Sequence, residues 1–306
     1  MSLERYFAEI SDSKKPLVIS KLANLSTLSA EELSLFIETW GKMDAERQRQ
    51  VVDHLVELAE ENPNLNFDDI FIASLHDPDE TVRIKSIDGL WECESCSLID
   101  SFITLLREDC KESVRAAAAM ALGKFAMLAE LAKLRPEHSL KVERALYTVI
   151  EDQDEDIEVV RRAIEAIAPL SLPRVKEIIQ QAYNSDDDKM RVSAIYAMGK
   201  NCDPAWLPTL LKELGSADTE MRYEAAEACG ELGEEDAVPQ LSRLIDDLDS
   251  QVCLSALVAL GKIGGSEAED ILQECLTHSD EHIRQAAADA LEELDFEKDP
   301  LSFKIL

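Results

Sequence analysis

Residues 216–233 read SADTEMRYEAAEACGELG, four alanines and two glycines set around a single arginine, Arg222. Nearly the same line is written elsewhere in the chain. ETVRIKSIDGLW holds Arg83, ESVRAAAAMALG holds Arg115, and EVVRRAIEAIAP holds Arg161. DKMRVSAIYAMG holds Arg191 and EHIRQAAADALE holds Arg284, while SQVCLSALVALG keeps the frame with Cys253 at the anchor position. Successive anchors are 32, 46, 30, 31, 31 and 31 residues apart. A period near 31 marks a repeat protein whose units must stack to bury a core.

Each unit reads as two helices. The first, as in AVPQLSRLIDDL, spaces its apolar residues for one buried face, and a short acidic turn leads to the second. Asp79, Asp187, Asp218, Asp249 and Asp280 stand four residues before the anchor, where a carboxylate caps free helix N–H groups. Gly123, Gly199, Gly230 and Gly261 stand eight residues after it and are expected to end the second helix in a left-handed conformation. Positions −1, +3, +6 and +7 share a face, which for this stretch gives Met221, Ala225, Ala228 and Cys229. Small side chains at +3 and +6 let neighbouring helices approach closely. The expectation is an all-α solenoid of stacked hairpins.

The alternation of A-V-P-x-L-x-x-L-x-x-D with V-R-x-x-A-x-x-A-L-G resembles HEAT-like repeats of the phycobilin-lyase type, over about residues 68–294. The resemblance implies a right-handed superhelix of HEAT-like, armadillo-type hairpins, about seven of them. It also implies a ladder between neighbours from turn aspartate to helix arginine, carried by Arg83, Arg115, Arg161, Arg191, Arg222 and Arg284. Cys253 interrupts it, and Pro169 takes the glycine position of a worn copy. The 46-residue interval holds an insertion near 124–138, with the second helix expected to run to about Arg135, before Pro136. Residues 1–67 read as N-terminal capping helices, with Ser29 and Glu32 spaced as a capping box. Residues 295–306 read as a C-terminal tail.

The 306 residues carry 31 basic and 63 acidic side chains, a net charge of −32. Such a charge repels nucleic acid and anionic lipid, so neither is an expected partner, and a HEAT-like DNA-repair glycosylase is disfavoured. Seven cysteines, an odd number lying mostly in helical patterns, suit a reducing compartment. With no signal peptide and no apolar run of membrane-spanning length, a cytoplasmic location is expected.

No constellation of catalytic type stands out. Cys93-Glu-Ser-Cys96 has chelating spacing, but a closed zinc site needs four ligands and no second pair follows. His278 and His282 straddle a turn. Deoxyhypusine hydroxylase, also built from HEAT-like repeats, binds iron through His-Glu pairs, and no histidine here precedes a glutamate. The acidic runs 151–156 and 186–188 lack the glycine and distal glutamate of a calcium loop. No metal or cofactor is expected.

Positions +1 and +5 from each anchor point away from the expected core. Along the stack they give an apolar middle, with Met120, Val192, Tyr196, Tyr223, Leu254 and Val258 as candidate partner-binding residues. Residues three before the anchors, among them Glu80, Glu112, Glu158, Asp188 and Glu281, add an acidic border. The expected partner is a protein or peptide with apolar anchors and basic flanks, held by a non-catalytic scaffold or adaptor. The alternative is a phycobilin-lyase-like enzyme attaching a chromophore, implied by the resemblance alone.

Overall fold

In the computed structural model, residues 3–298 are described, and among them the only regular structure is helical. The chain resolves into two compact units, residues 1–166 and 167–306.

The first unit contains α1 (Leu3–Ser11), α2 (Ile19–Leu22), α3 (Ala30–Trp40), α4 (Ala45–Glu61), α5 (Asp68–Ser74), α6 (Glu80–Gly89), α7 (Ser97–Glu108), α8 (Glu112–Glu130) and α9 (Pro136–Ile150). It ends within α10 (Ile157–Ile167). Helix α3 begins with the full capping box: Ser29 N–H donates to Glu32 Oε2 at 2.8 Å, and Glu32 N–H to Ser29 Oγ at 3.3 Å. Helix α4 packs on α6, and α6 on α8, so second helices form a layer with first helices such as α5 and α7 against them.

The second unit contains four hairpins. They pair α11 (Pro173–Tyr183) with α12 (Asp188–Asn201), and α13 (Leu207–Glu213) with α14 (Thr219–Leu232). Then α15 (Val238–Leu244) pairs with α16 (Ser250–Ile263), and α17 (Gly265–Cys275) with α18 (Glu281–Lys298). Helices α12, α14, α16 and α18 pack side by side in that order. The architecture is an α-solenoid.

Why these residues stack is visible at the small positions. Ala118, Ala194, Ala225, Ala256 and Ala287, each at +3, are fully buried, and so are Met221, Ala228 and Cys229 of the quoted repeat. Each second helix of the later repeats opens on its capping aspartate. Asp218 Oδ1 accepts from Glu220 N–H at 2.9 Å, and Asp249 Oδ1 from Gln251 N–H at 2.9 Å. A cap of this kind stabilises a helix by about 1 kcal/mol.

The +8 glycines do not end the helices. Gly123, Gly199, Gly230 and Gly261 lie inside α8, α12, α14 and α16, without positive φ. They are small because a neighbour presses there: a Cβ on Gly230 would stand 2.9 Å from Ala259 Cα. A residue of positive φ comes three positions later, left-handed at Cys202 (φ 50°) and Gly233 (φ 72°), and at Gly264 with φ 67° but an extended ψ of −153°. Helix α8 also stops earlier than expected, at Glu130, and Ala132 takes φ 55° in the turn before Pro136 opens α9. Residues 295–298, expected in the tail, continue α18, and 299–306 lie outside the described residues.

Candidate interaction surface

The anchor residues tie each turn to its helix. The Nη1 of Arg83, Arg115, Arg191, Arg222 and Arg284 donates to the carbonyl six residues earlier, at 2.7–3.1 Å. Cys253 keeps the same contact, its Sγ lying 3.2 Å from Asp247 O.

Three arginines also cross to the next repeat. Arg83 holds Asp109 through Nε at 2.7 Å and Nη2 at 2.9 Å, and Arg222 holds Asp247 at 2.8 and 2.9 Å. Arg115 holds Glu155 at 2.7 Å. The accepting carboxylate stands six residues before the next anchor, not at the capping aspartate four before it. Such fork-on-carboxylate pairs are the directional kind. At the corresponding position after Arg191 stands Ser216, and Arg191 pairs instead with Asp188 of its own helix. Arg161 pairs with Glu158, also on its own helix, and Arg284 donates to the carbonyls of His278 and Ser279. At the first repeat the equivalent carboxylate, Asp77, accepts the Trp40 indole N–H at 2.7 Å.

A second row, missed in the sequence, runs at +9. Glu231 sits between Lys200 at 3.3 Å and Lys262 at 2.7 Å, and Glu293 is the next residue in the row. The bond to Glu231 and the charges of Glu227 and Glu293 raise the Lys262 pKa. In the first unit the +9 residue after Arg115 is Lys124, whose ammonium donates to the carbonyls of Leu90, Trp91 and Cys93 at 2.8, 3.0 and 2.6 Å. Burial there lowers its pKa. The signal was legible over the last four anchors as Lys200, Glu231, Lys262 and Glu293, alternating in charge at one fixed offset.

The candidate partner-binding residues divide. Met120, Tyr196 and Val258 are 53%, 38% and 39% exposed. Tyr223 and Leu254 are half-buried. Val192 is a correction: it is buried at the +1 position of α12, a helix that packs against the neighbouring second helix α14. Similarly, Ser255 Oγ in α16 lies 3.2 Å from Tyr223 O in α14, drawing those helices together over +1. The acidic border is partly neutralised, since Glu158 and Asp188 pair with arginines and Glu80 lies 3.1 Å from Lys111.

Between α16 and α18 the surface opens into a groove of about 350 Å³. Leu254, Val258, Ala286 and Ala290 line it, with the carboxylates of Asp289 and Glu293 alongside. The Lys200 ammonium lies 5.6 Å from the Tyr196 ring centroid, a cation held on an aromatic face.

Cys93 is half-buried and Cys96 exposed, both as free thiols. Burial pushes the Cys93 thiol up, opposite to the depression that activates a nucleophilic cysteine. Among the described residues no three His, Cys, Asp or Glu side chains are placed to share a metal ion.

The HEAT-repeat family model matches residues 69–138, 175–258, 207–292 and 241–306. Among solved structures, yeast importin-β (Kap95p) superposes with a TM-score of 0.53 at 12% identity, covering 98% of this chain and 47% of that one. Escherichia coli YibA gives a TM-score of 0.46 at 18% identity, covering 82% of this chain and 98% of that one. Human deoxyhypusine hydroxylase gives 0.37 at 16% identity, covering 96% of each. No curated protein matches the chain in sequence.

Proposed function

Because this chain belongs to the HEAT-repeat family, we propose that it is a non-catalytic scaffold or adaptor that holds a partner segment on the second-helix layer. In this reading residues 68–294 supply the repeat array and 1–67 cap its N-terminal end. The observation that carries this reading is the exposure of Tyr196 on α12 and of Val258 on α16, the latter lining a groove that pairs apolar side chains with Asp289 and Glu293. Aromatic and apolar anchors on a layer that also carries carboxylates fit a protein or peptide with apolar residues and basic flanks. Yeast Kap95p, similar in fold, binds RanGDP, so a stack of this kind can serve as a protein-binding surface.

The net charge of −32 argues against nucleic acid and anionic membranes as partners, and no helix among the described residues is long and apolar enough to cross a membrane. Free thiols throughout favour a cytoplasmic setting. The finer resemblance, to phycobilin-lyase-type repeats, makes chromophore attachment the alternative, and a bilin absorbance band on mixing would select it.

Quantitative affinity capture tests the scaffold reading. The Tyr196→Ser/Val258→Ser variant, with an unchanged circular dichroism melt, is expected to retain at least tenfold less of the partner captured by the unaltered chain. Equal retention overturns it.

A further inference from the structure

Helix α8 and the residue that caps its C-terminal end, Leu131, carry an apolar strip that their own repeat does not use. Met120, Met127 and Leu131 are 53%, 38% and 54% exposed. At about 100° per residue they lie within roughly 40° of one another on one helix face. The strip is about 16 Å long at about 1.5 Å per residue, three helical turns. Lys124 lies between them in sequence on the same face, yet its ammonium is drawn aside onto the carbonyls of Leu90, Trp91 and Cys93. Those bonds hold the backbone of the turn after α6, residues 90–93, against α8 at Lys124, and Trp91 in that turn is 59% exposed.

The other exposed large apolar residues of this unit include Ile37, Ile72 and Leu140. They sit one each on the first helices α3, α5 and α9, where single exposed residues need no explanation. A contiguous strip with a tryptophan does. The insertion explains how it arises: α8 runs seven residues past Gly123, to Glu130, and presents Met127 on the added turns.

We infer that α8 and Trp91 form a docking strip for an amphipathic helix of a partner protein, apolar on one face and bearing lysine or arginine at the end that meets Trp91. The inference rests on the scaffold reading and adds a second surface to it. A helix is the occupant because the strip has the length and straightness of three helical turns, matched by apolar residues at i, i+3/i+4 and i+7. Methionines adapt to differing side chains. The partner's basic residues belong at the Trp91 end, where the exposed carboxylates of Asp88, Glu92 and Glu94 stand beside Trp91 in the chain, and not at the Leu131 end, where the exposed Lys133 and Arg135 follow. A second copy of this chain, itself at −32, is repelled by the same charge.

Trp91 reports on occupancy. Trp40 and Trp206 are each only 7% exposed, so acrylamide quenching reads chiefly Trp91. The probe is an 18-residue helical peptide of leucine and lysine only, with a leucine and glutamate version as control. Saturating leucine–lysine peptide is expected to blue-shift the emission and protect it from acrylamide. Met127→Gln/Leu131→Gln, which leaves the charge unaltered and changes only exposed side chains, is expected to weaken binding at least tenfold. Tyr196→Ser/Val258→Ser is expected to leave it unchanged.

Three results would overturn the strip: Trp91 still fully quenchable at saturation, equal binding of the glutamate peptide, or full affinity in the glutamine variant. A natural partner whose capture depends on Tyr196 and Val258 but not on Met127 and Leu131 would overturn the strip alone and leave the scaffold reading standing.

Discussion

A Cβ built on Gly199 would stand 2.7 Å from the Cα of Ala228 in the next repeat, closer than real Cβ contacts come. The same relation joins Gly230 to Ala259 at 2.9 Å. The second helices therefore touch backbone to backbone, and the glycine at +8 and the alanine at +6 are two halves of one contact. Gly199→Ala gains up to about 1 kcal/mol of helix propensity, yet overpacking at such a contact costs about 1–3 kcal/mol. The expected net result is a lower urea midpoint. Gly261→Ala, whose nearest neighbours are Ala290 Cβ at 3.0 Å and Cα at 3.4 Å, should lose less.

Cys202 occupies the left-handed position that glycine fills as Gly233 in the next repeat. A side chain there is strained by about 1–2 kcal/mol, and glycine returns part of that gain through its larger unfolded-state freedom. Cys202→Gly is expected to stabilise by about 0.5–1 kcal/mol. Cys202→Val, with a β-branched side chain at positive φ, is expected to destabilise. Thermal melts of the two variants should move in opposite directions.

Ser216 stands where Asp109, Glu155 and Asp247 receive an arginine from the preceding repeat. Ser216→Asp supplies Arg191 with the missing carboxylate. It also keeps the local bond to Asp218 N–H, as Asp247 does for Asp249 N–H at 2.9 Å. The expected gain is about 0.5–1 kcal/mol, given partial exposure. It should vanish in an Arg191→Gln background, a double-mutant cycle that separates the rung from any local effect.

The rung between Arg222 and Asp247 gives a pH signature. The hydrogen bond from Arg222 holds the Asp247 carboxyl below its ordinary value of 3.8. A carboxylate depressed by folding stabilises above its unfolded pKa, and that stability is lost as pH falls through the folded value. Urea midpoints should therefore drop below about pH 3.8. Asp247→Asn should lower the midpoint near neutrality and flatten the acid decline.

Much of the fold was legible because small residues recur where backbones meet. Ala225 and Ala256 mark the buried face, and Ser29 with Glu32 forms the box its spacing spells. The glycines misled, because a glycine closing an apolar run reads alike as a helix stop or as a close contact, and only the neighbour decides. The stops were written as Cys202, Gly233 and Gly264, where the cysteine hid the pattern. Helix α8 ended before Arg135 because the turn at Ala132 lets Pro136 serve as the first residue of α9. On the candidate surface, +5 was placed correctly at Met120, Tyr196 and Val258. Val192 was not, since 100° arithmetic on one helix ignores the helix beside it. Met127 and Leu131 went unread because they lie beyond the repeated frame, whereas Trp91 stands within it, at the +8 position after Arg83.

Hydroxyl-radical footprinting of the captured complex tests the scaffold account most directly. Leu248 lies fully exposed in the turn before α16 and serves as an internal reference away from the second-helix layer. The account predicts that labelling of Tyr196 and Val258 falls on complex formation while Leu248 labels as in the free chain. Protection of Leu248, with Tyr196 and Val258 labelled as before, would contradict it.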